Sequence, residues 1–247
     1  MWIADDFNDE VVVLFGTDEE LDGYDASTPS GPHHLRLSGF DNPSHIDIDP
    51  GNVSERGEST WVANVNLPNG EAVKLASDGT ELVRKNPTGF FEARFVSVNS
   101  RDGSVWVGDP NSGRVAKLST DGQETRNLFL DPTSLAVDVT DDAVWIGTGN
   151  ISEPKLLKLD SNGTELLSIS GFGRINGIAM AIRFAGTPGK ANCNGQSVSA
   201  LVKQYNQLNH AAAALGFPSV RALNDAIRAF CKHRRYHHGS PSKVQAP

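Results

Sequence analysis

The chain carries few side chains able to bind or transform a ligand, and most of them recur at matching places. Ser44-His45, Arg94-Phe95, Thr133-Ser134 and Asn176-Gly177 head four similar short segments. Together His45, Arg94, Thr133, Ser134 and Asn176 offer one imidazole, one guanidinium, one amide and two hydroxyls. A hard cation wants about six oxygen ligands or a histidine-rich shell. These five residues supply neither, so they read as ligand-binding groups with no metal and no cofactor, and a divalent cation among them lacks support. The acids Asp5, Asp6, Asp9 and Glu10 lack the Asp-x-Asp-x-Asp-Gly spacing of a calcium loop and read as a solvated turn. His33-His34 lies in the Pro/Gly-rich stretch STPSGPHHL with no Cys or His partner at ligand spacing. Gly-x-Ser-x-Gly, phosphate-loop and His-Glu-x-x-His patterns are missing, so no catalytic residue is assigned.

The elements that must position those groups are repeated. All four tryptophans, Trp2, Trp61, Trp106 and Trp145, are followed by Ile or Val and then by Ala or Gly. Side chains two apart share one face of a strand, so a bulky ring and a gap alternate in a packed layer, and the tryptophans read as structural core. A leucine opens a turn 12 or 14 residues later, at Leu14, Leu75, Leu118 and Leu159. Three of the turns read LASDGTEL, LSTDGQET and LDSNGTEL, and LFGTDEEL is a degenerate first copy. Asp-Gly and Asn-Gly between alternating runs predict tight hairpins. Upstream of three tryptophans lie the short strands HIDID (45–49), FVSVN (95–99) and SLAVD (134–138), which end in the turn-stabilising residues Asp49, Asn99 and Asp138. Each unit then holds four short strands in about 40–45 residues, the period of a propeller blade.

WIADDFNDEVVVL and VWVGDPNSGRVAKL resemble the NHL type of β-propeller repeat, over roughly residues 1–183. The resemblance implies a mainly β fold of about four blades, with ligands taken at the mouth of a central channel where the innermost strands begin. Such propellers include binding scaffolds as well as metal-dependent lyases and lactonases. On this chain the expectation is a non-catalytic propeller that binds a protein or carbohydrate. The alternative is a metal-dependent lyase or lactonase with its site at the channel. NGIAM (176–180) reads as a last inner strand without a tryptophan strand after it. Either it pairs with the N-terminal WIAD and closes a ring of four, or the chain is part of a larger propeller.

Charge divides the chain. Residues 1–184 hold 14 basic and 29 acidic side chains, net −15, and residues 185–247 hold eight basic and one acidic, net +7. The expected organisation is a propeller over 1–184, a linker over 185–192, a two-helix tail over 193–235 and a disordered basic end over 236–247. Val198, Leu201, Val202, Tyr205, Leu208, Ala212 and Leu215 follow helical spacing, and Pro218-Ser219 restarts a second helix with Val220, Leu223, Ile227 and Phe230 on one face. Cys193 and Cys231 bracket the pair. A disulfide there would favour an oxidising compartment, while the alternative is two reduced thiols. The segment resembles a Cys-bounded tail of bacterial secreted proteins. The acidic body argues against nucleic acid, and no apolar run approaches the roughly 20 residues of a membrane helix. Met1 runs straight into WIADD without the basic start and apolar middle of a signal peptide. The chain therefore reads as cytoplasmic, or as one lacking its natural start and made for an extracellular or periplasmic setting.

Overall fold

Alternating apolar residues and glycine-bearing turns give, among the described residues, fifteen antiparallel strands in four sheets. The computed structural model describes residues 1–14, 34–49, 58–139, 141–149, 153–180, 189–215, 217 and 219–232. Sheet 1 contains β1 (Trp2–Asp5), β2 (Glu10–Leu14) and β3 (His34–Leu37). Sheet 2 contains β4 (Pro43–Asp49), β5 (Ser59–Asn64), β6 (Glu71–Ala76) and β7 (Glu81–Lys85). Sheet 3 contains β8 (Phe95–Asn99), β9 (Ser104–Asp109), β10 (Arg114–Leu118) and β11 (Glu124–Phe129), and sheet 4 contains β12 (Pro132–Asp138), β13 (Ala143–Thr148), β14 (Lys155–Leu159) and β15 (Glu165–Ile169). In sheets 2 to 4 the chain runs from an inner strand outward, so each is a four-stranded blade. Sheet 1 begins at its tryptophan strand and has no inner strand among the described residues. The chain divides into two compact units, Met1–Ala181 and Ile182–Pro247.

Each hairpin between the third and fourth strands closes as the Asp-Gly and Asn-Gly pairs predict. Gly79, Gly122 and Gly163 adopt φ of 85°, 82° and 84°, and a bulge follows in the ladder. The same glycines let each hairpin lie against the outer strand of the sheet before it. A Cβ on Gly122 would fall 2.3 Å from Val83, and one on Gly163 would fall 2.9 Å from Leu128. The first copy, LFGTDEEL, falls outside the described residues beyond Leu14, as does His33.

Successive sheets stack through one recurring joint. Trp61 and Ala63 of sheet 2 are buried with Val96, Val98, Val105 and Val107 of sheet 3, while Trp106 and Val115 meet Leu135, Val144 and Ile146 of sheet 4. Trp61 and Trp106 are fully enclosed, and Ala63 and Gly108 leave room for the neighbour. Lys74 lies 5.6 Å from the Trp61 ring centre and donates to the Thr120 carbonyl at 3.0 Å in the next hairpin. Lys117 repeats this over Trp106 and reaches the Ser161 carbonyl at 3.3 Å. The lysine stem covers the indole and its ammonium ties down the neighbouring turn.

The second unit packs α1 (Cys193–Tyr205), α2 (Leu208–Ala214) and α3 (Val220–Lys232) around Leu201, Tyr205, Ala211, Ala212, Leu223 and Ile227. The expected first helix is interrupted at Asn206, which takes φ 65°, a left-handed conformation that Asn tolerates and that ends α1. Tyr205 and Leu208 stay on the inner face across the break, because the core spacing of three survives it. Val202 points out instead, 39% exposed. Ser219 accepts from the Ala222 N–H at 3.1 Å and caps α3. Cys193 and Cys231 are joined by a disulfide, with Cα atoms 5.7 Å apart.

NGIAM does not form the expected strand. Residues 176–180 have no strand partner, and no close packing joins sheet 4 to sheet 1 among the described residues. Alternating apolar residues make a strand only where an edge is at hand to take their backbone hydrogen bonds.

Candidate functional site

The inner strands begin at one rim of the stacked sheets, and antiparallel order brings other segments to the same rim. These are the β1–β2, β5–β6 and β9–β10 turns and the connections that lead from each outer strand into the next inner strand. The four exposed phenylalanines among the described residues lie in these segments or next to them: Phe7 in the β1–β2 turn, Phe91 in the β7–β8 connection, Phe129 at the last position of β11 and Phe172 just past β15, with Leu67 in the β5–β6 turn. Phe7 is 91% and Phe129 70% exposed. Arg114 lies 3.8 Å from the Phe129 ring centre and donates to Asn127 at 2.9 Å, and Asn127 donates to the Thr88 carbonyl at 2.8 Å. Thr88 in turn donates its N–H to Glu124 at 2.7 Å. The loop that carries Phe91 is thereby tied to the strands that carry Phe129.

The five residues expected to bind ligand sit at this rim, but most of them serve the scaffold. His45 Nδ1 accepts the Val96 N–H at 3.3 Å, from the next inner strand. Arg94 forms a paired contact with the buried Glu92, Nε to Oε1 at 2.7 Å and Nη2 to Oε2 at 3.0 Å, which raises its pKa. Thr133 donates to the Ile175 carbonyl at 2.6 Å. Ser134 is buried and its Oγ has no hydrogen-bond partner. Asn176 is exposed, in the segment without a strand. Their contacts follow one another along the inner strands.

These contacts belong to a series. Asp47 accepts the Val98 N–H at 2.8 Å and Ser97 accepts the Val137 N–H at 3.0 Å, so successive inner strands are linked by side chain to backbone. Burial raises the pKa of Asp47, with the Val98 and Ile48 N–H groups pulling the other way. The early acids are likewise in separate use. Asp5 accepts from Asn8 at 3.1 and 2.9 Å, which lowers its pKa, Asp9 accepts the Asn42 N–H at 2.8 Å, and Glu10 pairs with Arg36. Among the described residues no three His, Cys, Asp or Glu side chains converge in a way that would hold a metal ion.

The sequence reading passed over the residue that organises the rim. Three places after each tryptophan stands a hydrogen-bonding side chain: Asp5, Asn64, Asp109 and Thr148. Asp109 is fully buried, and its carboxylate accepts the N–H groups of Phe91 (2.6 Å), Glu92 (3.1 Å), Asn111 (2.8 Å) and Ser112 (3.0 Å). Asn64 holds the Asp41 N–H at 2.8 Å in the same manner one sheet earlier. The signal was the fixed offset from Trp, which a search for matching residue types overlooks.

Solved structures resemble this arrangement. A functionally unknown protein from Desulfotomaculum acetoxidans DSM 771 matches with a TM-score of 0.52 and 10% identity, over 73% of this chain and 55% of its own. The fold is propeller-like. A Lactobacillus plantarum protein matches this propeller with a TM-score of 0.46 and 18% identity, over 70% and 53% of the two chains. Kuenenia stuttgartiensis hydrazine synthase gives 0.48 and 12%, over 63% and 42%. The chain thus spans about half the length of the structures it matches, and likeness at this identity bears on the fold alone. No protein-family model and no curated protein matches the chain.

Proposed function

We propose that the chain is a non-catalytic binding scaffold of NHL-like blades, which takes a protein or carbohydrate partner on the rim where its inner strands begin. The observation that carries this reading is the gathering of the exposed phenylalanines among the described residues at that rim, braced by Arg114 and Asp109. Exposed aromatics on a rigid base are what recognition surfaces use, because little side-chain entropy is lost on binding. The alternative, a lyase or lactonase working through a metal, lacks a donor set among the described residues. The Cys193–Cys231 disulfide supports an extracellular or periplasmic setting.

The test is to challenge the immobilised full chain with an oligosaccharide array and a displayed peptide library, then to titrate the strongest hits. The variants F91S and F129S are each expected to weaken binding about tenfold or more, as loss of an anchor aromatic does. Hits bound equally well by both variants would place the binding surface elsewhere. A second expected result separates the enzyme reading. After exhaustive chelation, Ca²⁺, Mg²⁺, Mn²⁺ and Zn²⁺ should leave the thermal midpoint unmoved. An ion at 100 times its dissociation constant would add about 2.7 kcal/mol, so a rise of several degrees that H45A abolishes would restore the metal enzyme.

A further inference from the structure

Arg114 is a cation at the rim without a carboxylate of its own. Arg84, Arg94 and Arg101 each pair with an acid, at 2.6, 2.7 and 2.8 Å. Arg114, half-buried at the start of β10, has no acid within ion-pair distance among the described residues. Its neighbours across the ladder give the reason. On one side it faces Asp109, whose carboxylate is already taken by four backbone N–H groups and the Ser112 hydroxyl. On the other it faces Phe129, and its guanidinium lies over that ring. Glu124 is likewise engaged, accepting from Asn127 at 3.2 Å and from the Thr88 N–H. Of the five N–H groups of the guanidinium, one meets an acceptor among the described residues, Asn127 Oδ1.

The surroundings hold this cation in place. Gly89 takes φ 74° in a turn that the Phe90 N–H closes on the Pro87 carbonyl at 3.1 Å. A Cβ on Gly89 would fall 2.9 Å from Arg114 Nε, so glycine provides both the turn and the room for the guanidinium. Two residues further on, Phe91 is 45% exposed. The guanidinium is thus held against one exposed phenyl ring and against the turn that carries another.

A guanidinium placed in this way suits a carboxylate, which it grips with two parallel hydrogen bonds, while the rings suit an apolar side chain next to that acid. We infer that the partner taken at the rim is a protein, and that it presents a segment in which a single Asp or Glu stands beside an apolar residue. The inference rests on the rim being the binding surface. One open cation matches one carboxylate. A phosphate would bring about two charges to a site whose neighbours, Glu124 and Asp109, are themselves acids. A run of acids would meet the 29 acidic against 14 basic side chains of residues 1–184. A sugar is served less well, because the carboxylates that could take its hydroxyls are already bound to N–H groups.

The test is to select binders to the immobilised full chain from a displayed library of random short peptides, then to titrate the strongest by fluorescence anisotropy. The expected binders carry Asp or Glu next to Leu, Ile or Phe. Changing that acid to its amide should weaken binding to the wild type about tenfold and leave binding to R114Q unchanged. This comparison alters the peptide alone, so it stands whatever R114Q does to the fold. R114K keeps the charge without the planar fork and should fall between wild type and R114Q. Binders that need Phe129 but tolerate the amide overturn the inference and leave the rim reading in place. So does a library that yields no peptide while an oligosaccharide binds at the rim. Binders indifferent to both F91S and F129S overturn the inference and the rim reading together.

Discussion

The Asp109→Ala variant is expected to lose about 3–5 kcal/mol of stability, enough to lower the unfolding midpoint of the sheet unit by about 10 °C. The carboxylate is fully buried and collects four backbone N–H groups together with the Ser112 hydroxyl at 2.5 Å. Alanine removes the acceptor for all of them. Water can reach Asn111 and Ser112 in the β9–β10 turn, whereas the Glu92 N–H is buried and would stay unpaired, at a cost of about 1–3 kcal/mol for each such group. The conservative variant Asp109→Asn should lose much less, because Asn64 already does this work in sheet 2. Calorimetry of the two variants beside wild type decides the matter. A loss under about 1 kcal/mol for alanine would show that water replaces the carboxylate. The same change should loosen the loop that carries Phe91, so partner binding that depends on Phe91 should weaken even below the melting range.

Asp109 also shows where sequence reading succeeds and where it stops. The tryptophans, the gaps two residues on and the Asp-Gly turns were legible because each is a local requirement, met within a single strand or hairpin. Trp61, Trp106, Gly79, Gly122 and Gly163 stand where that logic puts them. The bracing position three residues past each tryptophan varies among Asp, Asn and Thr. At Asp109 the partners that brace the loop, Phe91 and Glu92, lie 18 and 17 residues away in the chain. A residue type defined by a distant partner leaves only its offset as a trace. The Val96 N–H that engages His45 comes from a strand 51 residues away, which the residues around His45 do not announce. NGIAM failed for the same reason in reverse, since its alternation is local and the edge it requires is not. The break at Asn206 stayed hidden because the apolar spacing runs through it unchanged.

Removing the Cys193–Cys231 disulfide is expected to unfold the helical unit without moving the transition of the sheets. The bridge joins the first residue of α1 to α3 across a separation of 38 residues, which by chain entropy corresponds to about 4 kcal/mol. Among the described residues the unit it closes has a small core cluster of six buried residues, and domains of that size hold only a few kcal/mol in all. The loss is therefore comparable to the whole of its stability. The sheets bury their own tryptophan joints, and all four tryptophans lie in that unit. Tryptophan fluorescence thus follows the sheets while circular dichroism at the helical minimum follows α1 to α3. With reductant, or in the double variant C193S/C231S, the helical signal should be lost near room temperature and the fluorescence midpoint should stay within a degree or two. Full retention of the helical signal would mean that packing of Leu201, Leu223 and Ile227 suffices without the covalent link. A fall of both signals together would mean that the sheet unit draws stability from the helices.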